Sequence, residues 1–261
     1  MEESFILPNI PDVHLSKPPV NEVICQLRFP PIVKLGISID PDFQDEIRTD
    51  YPYYDRLINN SVVNDQIVKK LQFPSDQLNH EFVNQTQNQK INIMQNFIAL
   101  STTAYDTWDR FQPEISSVFN IFEKHYKPAL FTRTGLRYIN LLTSDILPGL
   151  YEQPLSEFIN KDFLGPIADK MINNPNLLGY SSNLQITDRQ DITIQYGIGA
   201  AWEEQSPDIS RQNRYFYIDI DVYQSNKKDL ASLDEILNEA HKIAYNALRL
   251  VVTDGTINSL S

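Results

Sequence analysis

The sequence predicts an α+β fold: a mainly antiparallel, twisted sheet of about six or seven strands with two long helices packed on one face. Three observations carry this expectation. Residues 214–223 alternate strictly, with Tyr215, Tyr217, Asp219, Asp221 and Tyr223 on one side and Phe216, Ile218, Ile220 and Val222 on the other, the two-residue period of a half-buried strand. Two segments, 105–126 and 233–251, carry apolar residues at spacings of three and four, the period of an amphipathic helix. Strands come in runs and do not alternate one for one with helices, which is the α+β order.

The elements follow in chain order. Val23, Cys25 and Leu27 alternate with Ile24, Gln26 and Arg28 in a strand over 21–29. Pro18-Pro19 and Pro30-Pro31 bound it, and because proline cannot donate to a ladder they suggest a sheet edge. Phe43, Ile47, Tyr51 and Tyr54 make a helical stripe that Pro52 interrupts, so a short helix from Pro41 is expected to end near Asp50. A hairpin is expected next: a strand over 80–85, a polar turn at 86–89, and a long strand over 90–102 with Ile91, Ile93 and Phe97 on one side. In the helix of 105–126 the core stripe is Trp108, Phe111, Ile115, Val118, Phe119 and Phe122, and Pro113 is expected to bend it or mark a restart.

Pro128 ends that helix, and a strand over 131–142 puts Arg133, Gly135, Arg137 and Ile139 on one side. The proline-punctuated stretch 144–175, with Leu155, Phe158, Ile159 and Phe163 as a short amphipathic piece, is the candidate for a cover or lid. Strands over 183–188 and 191–199 form a hairpin about Arg189-Gln190, and a polar loop covers 200–212. The last helix opens on a capping box of Ser232 and Glu235 and buries Leu233, Ile236, Leu237, Ala240, Ile243, Ala244, Ala247, Leu248 and Val251. A helix following paired strands in both halves is the pattern a distant duplication leaves. The chain is read as a single domain over 1–261, with 1–17 as an N-terminal extension and 255–261 as a tail.

Composition excludes several functions. Lys and Arg number 22 against 34 Asp and Glu, and the resulting charge of −12 opposes the counterion release by which proteins hold nucleic acid, so no nucleic-acid partner is expected. Cys25 is the sole cysteine, which excludes an internal disulfide or a multi-thiolate zinc site and suits a reducing, cytoplasmic compartment. Met1–Asn9 carries acidic residues where a signal peptide is basic, and no run of about 18 apolar residues occurs, so neither secretion nor a membrane partner is expected.

The sharpest site reading joins Arg133 and Arg137 with Asp219 and Asp221, two i,i+2 pairs that each project to one strand face, together with Tyr217 and either Glu203 or Glu204. Guanidinium forks there could bind a phosphate or carboxylate ligand. The plainer alternative is arginine pairing with aspartate across a partly solvated sheet face, worth only about 0.2–1 kcal/mol per pair. Asp219 and Asp221 are also a weak magnesium candidate, since hard cations take one or two carboxylates, but alternation alone generates this spacing. His14, His80, His125 and His241 fall on different elements without metal-ligand spacing, and no G-x-S-x-G or phosphate-cradling glycine motif occurs. No cofactor is expected. Cys25 in mid-strand reads as structural, His241 as a boundary residue of the last helix, and Tyr215, Tyr217 and Tyr223 as serving either recognition or packing.

Three stretches taken together resemble a sporadically distributed family of uncharacterised bacterial and archaeal proteins. They are Pro18-Pro19-Val-Asn-Glu22-Val23 through Leu27-Arg28-Phe29, then Arg133-Thr-Gly135-Leu136-Arg137-Tyr138-Ile139-Asn140, then the last helix with His241 ahead of Thr253-Asp254. The likeness extends over almost the whole chain, and the arginine strand is its most telling part. The family has no established activity to carry over. The resemblance implies a prokaryotic, soluble, single-chain protein of patchy distribution, and mobile cassettes, including defence and toxin systems, produce such a distribution. With no complete catalytic set, the leading expectation is a non-enzymatic interaction or regulatory protein with a protein partner or a homo-oligomeric state. The rival is a small-molecule pocket, catalytic or sensory. In it Arg133 and Arg137 bind an anionic ligand, Asp219 and Asp221 hold a cation or act as acid and base, and 144–175 closes over them.

Overall fold

Among the described residues the chain forms nine strands: β1 (Val20–Arg28), β2 (Tyr53–Ile58), β3 (Leu78–Val83), β4 (Gln89–Met94), β5 (Phe97–Thr102), β6 (Arg133–Leu142), β7 (Tyr180–Thr187), β8 (Asp191–Ala200) and β9 (Arg214–Gln224). In the computed structural model they form one antiparallel sheet of order β2-β3-β4-β5-β1-β6-β9-β8-β7. Among the described residues four α-helices accompany it: α1 (Pro41–Ile47), α2 (Trp108–Tyr126), α3 (Leu233–Val251) and α4 (Asp254–Leu260). The structure describes residues 7, 10, 11, 13–58, 78–150, 152–167, 179–187, 190–200, 214–225 and 233–261. Ser232 of the capping box, Arg189 of the hairpin tip, Glu203, Glu204 and residues 168–175 lie outside these, as does the loop after Ala200.

Nine strands replace the expected six or seven for two local reasons. Residues 90–102 are two strands, because Gln95-Asn96 turns the chain and pairs Met94 with Phe97 and Ile93 with Ile98. Phe97 therefore faces away from Ile91 and Ile93, contrary to the expected single strand. Tyr53–Ile58, half assigned to the helical stripe, is a strand whose Tyr53, Tyr54 and Leu57 are all exposed, so it shows no clean inside and outside. β1 stands in mid-sheet and not at an edge. All four of its flanking prolines fall outside Val20–Arg28, so they delimit the strand without removing a ladder donor. The residues read as a tail fall largely in helix α4, which Thr253 caps and which buries Ile257 and Leu260.

The chain divides into two compact units: Met1–Val23 with Leu136–Tyr223 and Asn238–Ser261, and Ile24–Gly135 with Gln224–Leu237. In the second unit, Asp40 caps α1 through the Asp42 N–H, Pro41 supplies the first helical φ, and Phe43 and Ile47 turn inward. Phe43 packs against Phe82, Phe122 and Tyr126, and Phe122 against Phe29, so aromatic rings from strand and helix make the core. The helix α2 runs unbroken through Pro113 with Phe111, Ile115, Val118, Phe119, Phe122 and Tyr126 buried. Its last turn carries Lys124 and His125, which suit the negative end of the helix dipole.

In the first unit, β7, β8 and β9 form a meander with Tyr180, Ile198 and Phe216, and likewise Leu184, Ile194 and Ile220, in register across it. Phe216, Ile218, Ile220 and Val222 are wholly buried, as alternation predicts, and every residue of the predicted α3 stripe is at most 7% exposed. Residues 157–160 are fastened to the α3–α4 corner: Asn160 Nδ2 donates to Leu250 and Val252, the Thr253 N–H to Phe158, and the hydroxyls of Thr253 and Thr256 to Glu157 and Phe158. The expected cover segment is thus locked down over this part. Ile10 and Lys17 are likewise tied, by the Ile10 N–H to Asn246 Oδ1 (2.9 Å) and the Lys17 N–H to the Leu260 carbonyl (2.9 Å).

Candidate functional site

Register explains why one face of the first unit is polar. Asp219 lies opposite Gln195, Asp221 opposite Thr193 and Tyr217 opposite Gly197, all on the face that Phe216, Ile218 and Ile220 leave. On β7 the same face carries Ser181, Asn183 and Gln185, which are exposed. β6 contributes Arg137, whose Nε and Nη2 donate to the two carboxylate oxygens of Asp219 at 2.7 and 2.5 Å. This is a bidentate fork, with only 13% of the arginine and 7% of the aspartate side chain exposed. Burial opposes the guanidinium charge more than any other influence. The Asp219 hydrogen bonds and the Coulombic pull of Asp219, Asp221 and Glu22 outweigh it together and hold the Arg137 pKa above its ordinary value.

A glycine of β8 makes room for Tyr215 on this face. A Cβ on Gly199 would fall 2.5 Å from the Tyr215 ring, so the ring occupies the space a side chain would fill. Tyr217 reaches across Gly197 to a hydrogen bond with Ser181, and burial first of all raises its phenol pKa. Gly197 is also required by close approach: a Cβ there would overlap the Tyr180 carbonyl oxygen. On the opposite, helix-covered face the hydroxyl of Tyr138 meets His241 Nδ1 at 2.8 Å, which makes His241 a partner of the sheet at the edge of the α3 stripe.

Arg133 belongs to the second unit. Its Nη1 donates to Gln26 Oε1 at 3.3 Å, and Arg28 Nε donates to the same oxygen at 2.8 Å. Gln26 is 6% exposed. Gly135 sits beneath the Arg133 guanidinium, which would clash with any Cβ there. Arg137 meets Asp219, with Asp221 and Tyr217 on the same face, and the contact described for Arg133 is to the Gln26 oxygen that Arg28 also reaches. Gln26 and Arg28 were not singled out from the sequence, although both lie on the polar side of the β1 alternation.

Asp219 spends both oxygens on Arg137, which leaves the weak cation pair with one committed member. Among the described residues no group of three or more His, Cys, Asp or Glu is placed to hold a metal ion. Cys25 is wholly buried, and burial pushes its thiol pKa far up against the opposing charge of Arg133. Among the described residues no helix is long and apolar enough to cross a membrane. No family model matches the chain, and no curated protein matches it either.

Proposed function

We propose that this chain is a non-enzymatic interaction or regulatory protein, encoded in a prokaryotic cassette of the mobile or defence-related kind. It works in the cytoplasm with a protein partner or as a homo-oligomer, and it recognises that partner through the polar sheet face of its first unit. The observation that carries the reading is the closed fork between Arg137 and Asp219. Charges spent on each other hold a face rigid and do not offer themselves to a substrate, while Tyr215, laid over Gly199, and Tyr217 beside it present amphipathic surface of the kind interfaces favour.

The test is co-expression with the products of neighbouring genes. A near-stoichiometric partner, or a defined oligomer by light scattering, is expected, and Tyr215→Ala and Asn183→Arg should weaken the complex without lowering the unfolding midpoint by more than a few degrees. Turnover of a substrate that Arg137→Ala abolishes would overturn the reading. The second reading, a site for an anionic ligand, is supported by the two guanidiniums that converge on Gln26.

A further inference from the structure

We propose that β7 is an interaction edge along which two copies of this chain pair antiparallel about a two-fold axis. This deepens the homo-oligomeric arm of the function proposed above and rests on it. β7 stands at one end of the strand order, and among the described residues nothing pairs with its outer side. An unpaired edge presents a row of backbone N–H and C=O groups to any further strand, and folded proteins ordinarily blunt it with charge, proline, a bulge or shortness. β7 uses none of these. Its eight residues, Tyr180-Ser-Ser-Asn-Leu-Gln-Ile-Thr187, include no charge, proline or glycine. It keeps register with β8 from Tyr180 opposite Ile198 to Thr187 opposite Asp191, without a bulge.

The strand at the other end of the order shows what a blunted edge looks like in this chain. β2 has six residues, carries Asp55 and Arg56 in its middle, and has its Arg56 N–H taken by Asp55 Oδ1 at 2.7 Å. A two-fold axis through the middle of β2 sets like charges opposite each other, Asp55 on Asp55 or Arg56 on Arg56. The same operation on β7 brings no charges together. Centred on Leu184, it sets Leu184 against its own copy, Asn183 against Gln185 and Ser181 against Thr187. Opposed residues of an antiparallel pair share a face, so the exposed Ser181, Asn183, Gln185 and Thr187 meet one another on the polar side, and the half-buried Leu184 gains apolar cover on the other. A strand that is its own complement fits a second copy of itself. The axis stands perpendicular to the sheet, so the polar faces of the two first units end on the same side and run on into each other.

Sedimentation velocity of the intact protein over a concentration series, at low and at high salt, tests this. A dimer that dissociates on dilution is expected. It should tighten as salt rises, because screening weakens the repulsion between two chains of charge −12 while the uncharged edge loses nothing. Asn183→Lys combined with Gln185→Lys sets lysines opposite lysines across the axis, and Asn183→Glu combined with Gln185→Glu does the same with carboxylates. Each double variant should raise the dissociation constant about tenfold or more. Mixed in equal amounts, the two should pair with each other at least as tightly as the unaltered copies do, an outcome that misfolding cannot imitate. Leu57→Lys, on β2, should leave the dimer as it was.

An unaltered protein that stays monomeric at every concentration would remove the β7 pairing and the homo-oligomeric arm together, leaving the arm with a protein partner to stand on the co-expression test. A dimer that both double variants leave intact would keep the oligomer and overturn β7 as its seam. Lysine and glutamate variants that remain monomeric when mixed would overturn it as well.

Discussion

Replacing Asp219 by asparagine, in Asp219→Asn, isolates what the buried fork contributes. The exchange keeps the shape of the side chain and removes its charge, leaving a guanidinium 13% exposed against a neutral amide. Breaking a buried pair by deleting one partner costs about 3–5 kcal/mol. Two features lower that figure here. The new amide oxygen still accepts one of the two N–H bonds, and the pull of Asp221 and Glu22 remains, each worth on the order of 1 kcal/mol at the effective dielectric of a partly solvated site. The expected loss is therefore about 2–3 kcal/mol. For a chain of this size each kcal/mol lowers the midpoint by about 2–4 °C, so thermal unfolding followed by circular dichroism should shift down by about 4–12 °C. Asp221→Asn removes an equal charge from the same strand face without touching the fork, and should cost under about 1 kcal/mol. Equal losses for the two variants, or a loss under about 0.5 kcal/mol for Asp219→Asn, would refute the claim that Asp219 closes the site.

Three further outcomes are expected. His80 is wholly buried, its Nε2 donates to the Leu35 carbonyl at 3.0 Å, and its Nδ1 therefore accepts from the Tyr54 hydroxyl at 2.9 Å. Burial above all, against the Leu35 bond and helped by Arg56, lowers its pKa below the ordinary 6.5. The unfolded chain then takes up a proton before the folded one, so stability is complete above pH 6.5 and falls as pH drops below it. Urea midpoints at pH 7.5 and 5.5 should differ less in His80→Gln than in the unaltered protein, and an unchanged difference would refute the assignment. Gly197→Ala meets the Tyr180 backbone and should cost about 1–3 kcal/mol, more than Gly199→Ala, which meets only the Tyr215 ring; the reverse order in urea unfolding would contradict the packing. The Cys25 thiol should fail to react with a disulfide reagent until urea unfolds the chain, and rapid native labelling would show that it is reachable.

Legibility followed period and burial. β9 and α3 could be read from the sequence because one of their faces is wholly buried, which makes the pattern of residues and the pattern of environments the same pattern. β2 could not, since Tyr53, Tyr54 and Leu57 are exposed on both sides of it, and the helical spacing of Tyr51 and Tyr54 offered a competing explanation. The turn at Gln95-Asn96 contains neither glycine nor proline, and apolar residues stand close on both sides of it, so two strands look like one. Nothing local to β1 tells that it stands in mid-sheet, because its neighbours come from residues far along the chain.

The same distinction governs the candidate site and bears on what the protein does. Alternation places Arg133 and Arg137 on one side of a strand and Asp219 and Asp221 on one side of another, and that much the sequence shows. Which arginine meets which acceptor depends on register, and register gives Arg137 a carboxylate and Arg133 an amide. That asymmetry has chemical weight. A guanidinium with its matching carboxylate is a fixed feature of a surface, stable and electrically quiet, around which tyrosines can be laid flat for contact with another protein. Two arginines four residues apart, equivalent in the sequence, thus meet acceptors of different charge, and variants at Asp219 and Gln26 can test each contact by itself.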